Sequence, residues 1–184
     1  MNRSMRFVTF IFIFLFANSL ADASQQVLLR VQWQQLALNQ ETLSRSEKLS
    51  RVQDLSAFIA LQSDFNTKVG KVPHQVFTSG LASEAELAFT KWVMFTNLGF
   101  APEQFRLVYL QHSPTLTNHV WLAMYDTQGG KIITSNQIVD QSQLESILIN
   151  DQLQIVSVLD PNQVLNSRME KRRAENQVQD MLLL

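Results

Sequence analysis

The sequence has no cysteine, and that absence excludes more than any residue present. No thiol can serve as a nucleophile, no disulfide can staple the fold, and no lipobox cysteine can carry a lipid anchor. Glycine and proline are scarce, with five and four in 184 residues, while glutamine is abundant; the mixture suits helices joined by modest loops. An excess of one charge is missing too. The formal net charge is −1, and no basic stripe of the kind that nucleic-acid binding needs is present. The one dense basic group, Lys171-Arg172-Arg173, sits beside Glu170 and Glu175 and reads as a solvated helix face rather than a binding patch. Beyond the N-terminus no apolar run approaches the roughly 20 residues that a membrane-spanning helix requires.

The N-terminus has the pattern of a cleaved secretory signal, residues 1–23. Arg3 and Arg6 form a positive region, Phe7 to Phe16 is an apolar run broken only by Thr9, and Ala21-Asp22-Ala23 supplies the small residues of a cleavage site. An uncleaved anchor is the alternative. Cleavage after Ala23 predicts a mature chain that begins at Ser24 and works outside the cytoplasm. It removes Arg3, Arg6 and Asp22 and takes the formal charge from −1 to −2. The remaining length fits one domain, residues 24–165, followed by a charged helix or tail over 166–184.

The mature chain reads as helices first and strands second. Val27 to Leu38, with Val27, Val31, Trp33 and Leu36 among glutamines, predicts a short amphipathic helix. Ser44 and Glu47 have capping-box spacing, and the apolar positions from Leu49 to Leu61 fall near the helical period. Lys71 to Ser79, with Pro73, reads as irregular. Ser83 opens a central helix that is apolar around much of its circumference and is stopped by Gly99. Phe105–Leu110, His119–Tyr125, Lys131–Ile138 and Leu153–Leu159 read as strands, with a hairpin turn at Asp126–Gly130 and a short helix at Ser142–Leu148. That order predicts an α+β fold, with helices followed by an antiparallel sheet.

Several of these elements carry a pattern in common. Glu47-Lys48-Leu49 and Val52 open it, and Phe58, Asp64, Phe65 and Gly70 follow. Ala88, Lys91, Trp92 and Leu98-Gly99 lie on the central helix. Arg106-Leu107-Val108-Tyr109 and His119-Val120-Trp121-Leu122-Ala123 lie on strands. In order and spacing, the stretch from Glu47 to Gln137 resembles the bacterial transglutaminase-like cysteine proteinases, periplasmic enzymes that clip large surface adhesins. The resemblance implies a papain/transglutaminase-like fold whose central helix packs on an antiparallel sheet. In its frame the nucleophile position is Glu84, the histidine is His119, and the aspartate that orients the histidine falls near Ser135. The acidic neighbours that bind calcium in related proteins fall at Ser83 and Ala85, and Glu86 alone keeps a carboxylate there. No bound metal or other cofactor is expected.

Thiol chemistry is therefore closed. Ser83 as a substitute nucleophile competes with its simpler role as a helix N-cap. Glu84 and Glu86, two apart on a helix, point about 200° away from each other and do not form a carboxylate pair. A Glu84–His119 salt bridge in place of the lost catalytic contact is the favoured reading. His74 and His112 fall in expected loops without ligand spacing, and Trp92 and Trp121 read as core. Three functions follow: a non-catalytic relative, a hydrolase of altered chemistry using Ser83 or Glu84 with His119, and an envelope or secretion-complex assembly factor. For the first, the resemblance implies a protein partner, either an adhesin or the periplasmic domain of a cyclic-di-GMP receptor, and a link to biofilm attachment. The apolar terminus Met181–Leu184 would pack on the domain or dock in a partner groove.

Overall fold

The computed structural model describes residues 26–62, 70–127, 129–164 and 166. The signal segment and Ser24, the pair Asp64 and Phe65, and the tail beyond 166 with Met181–Leu184 lie outside the described residues.

The first helix, α1, covers 26–38. Its buried stripe is Leu29 and Leu36 with Trp33 half-buried between them, while Val27 and Val31, expected on the apolar face, stay exposed. Trp33 stacks on Phe77 at 6.3 Å between ring centroids. Helix α2 (Arg45–Ser56) begins with the expected capping box: Ser44 Oγ accepts the Glu47 N–H, and Glu47 Oε2 accepts the Ser44 N–H. The helical period continues to Leu61 in sequence, but α2 ends at Ser56. Ala60–Leu61 (β1) instead pairs in parallel with Leu81–Ala82 (β2), so tertiary hydrogen bonding overrides the local period. The segment read as irregular is in fact a short helix, α3 (Pro73–Ser79). Pro73 starts it, at a position whose N–H would have no partner within the helix, and Gly80 closes it at φ +65°. His74 is therefore helical rather than in a loop.

Helix α4 (Glu84–Asn97) is the centre of the molecule, buried on most of its circumference. Phe95 is fully enclosed and packs on Phe100 and Phe105 at 5.3 and 5.5 Å. Gly99, at φ +88°, supplies the left-handed residue that ends it.

The sheet follows: β3 (Phe105–His112), β4 (Asn118–Met124), β5 (Lys131–Ile133), β6 (Ile138–Asp140) and β7 (Leu153–Leu159), all antiparallel, in the order β6-β5-β4-β3-β7. His112 is thus the last residue of a strand rather than a loop residue, and its Nδ1 lies 2.6 Å from Thr115 Oγ1. The return strand expected over Lys131–Ile138 is split in two. Thr134 turns the chain, donating its N–H to Gln137 O while its hydroxyl accepts the N–H groups of Asn136 and Gln137. Helix α5 (Leu144–Asn150) connects β6 to β7. Alternation divides the sheet between two cores. Phe105, Leu107, Leu122, Met124 and Ile133 join the large core with α4. Val108, Leu110, Trp121 and Ile132 face the other way, against Leu144, Ile147 and Leu148 of α5.

Candidate functional site

The start of α4 meets the start of β4. Glu84 is the first residue of α4 and His119 the second of β4. The Glu84 carboxylate straddles His119 Nδ1, with its two oxygens at 3.2 and 3.1 Å, and Oε2 also accepts the Val120 N–H at 3.0 Å. The pair is partly open to solvent, with side-chain exposures of 26% for Glu84 and 35% for His119. An anion here is favoured twice, by the partial positive charge of a helix N-terminus and by the Val120 N–H that it accepts.

Ser83 does not face this pair. Its residue is buried, its Oγ accepts the Glu86 N–H at 3.2 Å, and its own N–H goes to Glu86 Oε2 at 3.0 Å. The hydroxyl is a helix cap and makes no hydrogen bond to His119 among the described residues. Glu86 turns away from Glu84, as the helical angle requires, and accepts the Lys71 N–H at 2.6 Å. Ser135 lies in the turn after β5. Its carbonyl accepts from Lys91 and Gln53, and among the described residues no hydrogen bond joins His119 to Ser135 or Asn136. The fold therefore brings together two of the three positions singled out in the sequence.

Lys91, two turns beyond Glu84, matters to the site in a way its sequence context did not reveal. Its side chain is 1% exposed, and Nζ donates to Gln53 Oε1 at 2.9 Å, Thr134 O at 2.5 Å and Ser135 O at 3.1 Å. Burial pushes its amine down to about 7. It ties α4 and α2 to the turn that carries Ser135. The available signal was a single lysine among the apolar residues in the middle of the central helix. Elsewhere, a groove of about 450 Å³ between α1, α3 and α4 is lined by Trp33, Phe77 and Arg30, with His74 on its wall.

Solved structures that match this chain include three of one kind. Calcium-bound Legionella pneumophila LapG superposes with a TM-score of 0.59 at 18% identity, covering 75% of this chain and 76% of that chain. LapG from the same organism gives 0.58 at 17% identity, covering 74% and 82%. An EGTA-treated LapG gives 0.57 at 17% identity, covering 74% and 80%. The fold is transglutaminase-like. At such identity the likeness is one of architecture. No family model matches the chain, and no curated protein matches it.

The calcium implied by the resemblance does not fit the residues present. Calcium takes six to eight oxygens at roughly 2.3–2.6 Å. Ser83 is engaged as a cap, Ala85 has no donor, and both oxygens of Glu86 accept N–H groups. Among the described residues no cluster of three or more His, Asp or Glu side chains could hold a metal.

Proposed function

We propose that this chain is a non-catalytic, transglutaminase-like protein of the periplasm that binds a protein partner and thereby modulates surface-adhesin processing or biofilm attachment. One observation carries the reading: a carboxylate, that of Glu84, occupies the start of the central helix against His119, where the resemblance puts a thiol. A carboxylate paired with an imidazole in this way holds the histidine but is a poor nucleophile toward an amide. A serine hydrolase using Ser83 would need that hydroxyl aligned on His119, and it is instead committed to capping α4. The partner, by the same resemblance, is an adhesin or the periplasmic domain of a cyclic-di-GMP receptor.

The test has two arms. Purified protein incubated with adhesin fragments and a general peptide library is expected to leave both intact; cleavage that disappears in His119→Ala would establish the altered-hydrolase reading instead. Pull-downs from periplasmic extract are expected to recover an adhesin or a receptor domain, and recovery of neither would remove the proposed role.

A further inference from the structure

The N-terminus of α4 carries a second acidic residue, and its surroundings are built differently from those of Glu84. Glu86 is only 6% exposed. Its Oε1 accepts the Lys71 N–H at 2.6 Å, and its Oε2 accepts the Ser83 N–H at 3.0 Å. The chain passes so close that a Cβ on Gly70 would stand 2.9 Å from Glu86 Oε1. The Lys71 side chain then folds back over the same junction. Its Nζ lies 3.1 Å from Leu81 O, 3.2 Å from Gln62 Oε1 and 4.0 Å from Glu86 Oε2. These three oxygens come from three places: the end of β1, β2, and α4. A positive charge on a flexible stem is thus surrounded by neutral and anionic oxygens from separate segments.

We propose that Lys71 is a tethered cation that locks the segment before α3 onto the N-terminus of α4 and makes this junction independent of calcium. A divalent ion is useful at such a place because it draws oxygens from separate segments onto one point and offsets a buried carboxylate. The Lys71 ammonium does both through its own covalent attachment: it donates to Leu81 O and Gln62 Oε1, and its charge faces Glu86 Oε2 at 4.0 Å. Ser83 and Ala85 stand where calcium-binding side chains would be needed, so the loss of metal donors and the presence of the lysine agree. The inference concerns the junction alone and does not rest on the functional reading above.

The experiment is thermal unfolding of the full mature chain and of Lys71→Met and Lys71→Arg, each in millimolar calcium and in excess EGTA. The wild-type Tm is expected to be the same in both solutions. Lys71→Met should lower Tm by roughly 2–4 °C in both, and Lys71→Arg should restore most of the loss. Amide exchange at Lys71 and Ser83 reads the latch directly and should accelerate several-fold in Lys71→Met. A wild-type Tm that rises with calcium by a comparable amount would overturn the proposal, as would a Lys71→Met protein with unchanged Tm and unchanged protection at both amides. No partner or substrate enters these measurements, so their failure and that of the non-catalytic reading are separately visible.

Discussion

Lys91 should make the stability of this protein depend on alkaline pH in an unusual direction. Its amine falls from an ordinary value of 10.5 to about 7 because burial penalises the charged form. Between those two values the unfolded chain binds a proton at Lys91 that the folded chain does not. Stability therefore rises with pH across that window, is fully present above the unfolded value, and is lost as pH falls through the folded one. Each unit is worth about 1.4 kcal/mol, so going from about pH 7.5 to about pH 9.5 should add about 2.7 kcal/mol. For a domain of this size that corresponds to a rise in Tm of roughly 5–11 °C. The window is clear of thiols, since the chain has none, and burial raises Tyr109 above its ordinary value. The decisive comparison is with Lys91→Met, which removes the titrating group and cancels the contributions of all others. Urea unfolding at several pH values should show wild type gaining on the variant as pH rises. Parallel curves, within about 0.5 kcal/mol, would refute the argument. They would mean that the three oxygens of Gln53, Thr134 and Ser135 hold the ammonium strongly enough to offset its burial.

Three further outcomes follow from the same structure. Glu84→Ala leaves the Val120 N–H without its carboxylate acceptor and should cost about 1–2 kcal/mol in urea unfolding, whereas Glu84→Gln, which can still accept that N–H, should cost less than about 1 kcal/mol because the His119 pair is partly solvent-exposed. Phe95→Ala opens a cavity beside Phe100 and Phe105 and should destabilise the domain by about 3–5 kcal/mol, with a matching fall in the denaturation midpoint. Gly99→Ala has open space for the methyl group but forces a left-handed backbone on alanine, so its loss of about 1 kcal/mol should appear without any change in core packing by near-UV circular dichroism.

Local chemistry was legible in the sequence wherever a few neighbouring residues decide the outcome. The Ser44–Glu47 capping box could be read from spacing alone, as could Ser83 as an N-cap and the stop at Gly99; that Glu86 completes a second box with Ser83 came from the structure. Trp92 and Trp121 were expected in the core, and they lie in the two different cores on either face of the sheet. The failures are of another kind. The parallel pairing of Ala60–Leu61 with Leu81–Ala82 joins segments about 20 residues apart, and no local signal announces it. The break between β5 and β6 uses Thr134 hydrogen bonds in place of glycine or proline, so the usual punctuation is absent. On α1 the apolar valines pointed to the wrong stripe, because docking is set by where Trp33 meets Phe77. At the candidate site, periodicity placed Glu84 on a helix and His119 on a strand, but only the family resemblance suggested that they meet. Lys91 and Lys71 were visible as residues, yet the oxygens that give them meaning come from other elements: a turn more than forty residues on for Lys91, and residues in or next to the two short parallel strands for Lys71.

On the proposed reading, a carboxylate in place of a thiol at Glu84 is physically conservative in one respect and radical in another. A thiolate and a carboxylate are both anions, and the N-terminus of α4, the Val120 N–H and the His119 ring favour an anion of either sort. The electrostatics that hold helix to strand can therefore survive the substitution, and with them the packing of α4 on β4. Nucleophilicity does not survive it, since carboxylate oxygens lack the reactivity of sulfur toward amides. On the proposed reading, this asymmetry explains how a fold arranged for cleavage could lose its chemistry and keep its shape. The same logic ranks substitutions at this position. Glu84→Asp keeps the charge but shortens the reach to His119, whereas Glu84→Gln keeps the reach but discards the charge. If anion stabilisation is what secures the junction, lengthening the reach of the field by lowering ionic strength should widen the stability gap between wild type and Glu84→Gln. A gap that does not respond to salt would mean that the hydrogen bond to Val120, and not the charge, holds α4 against the sheet.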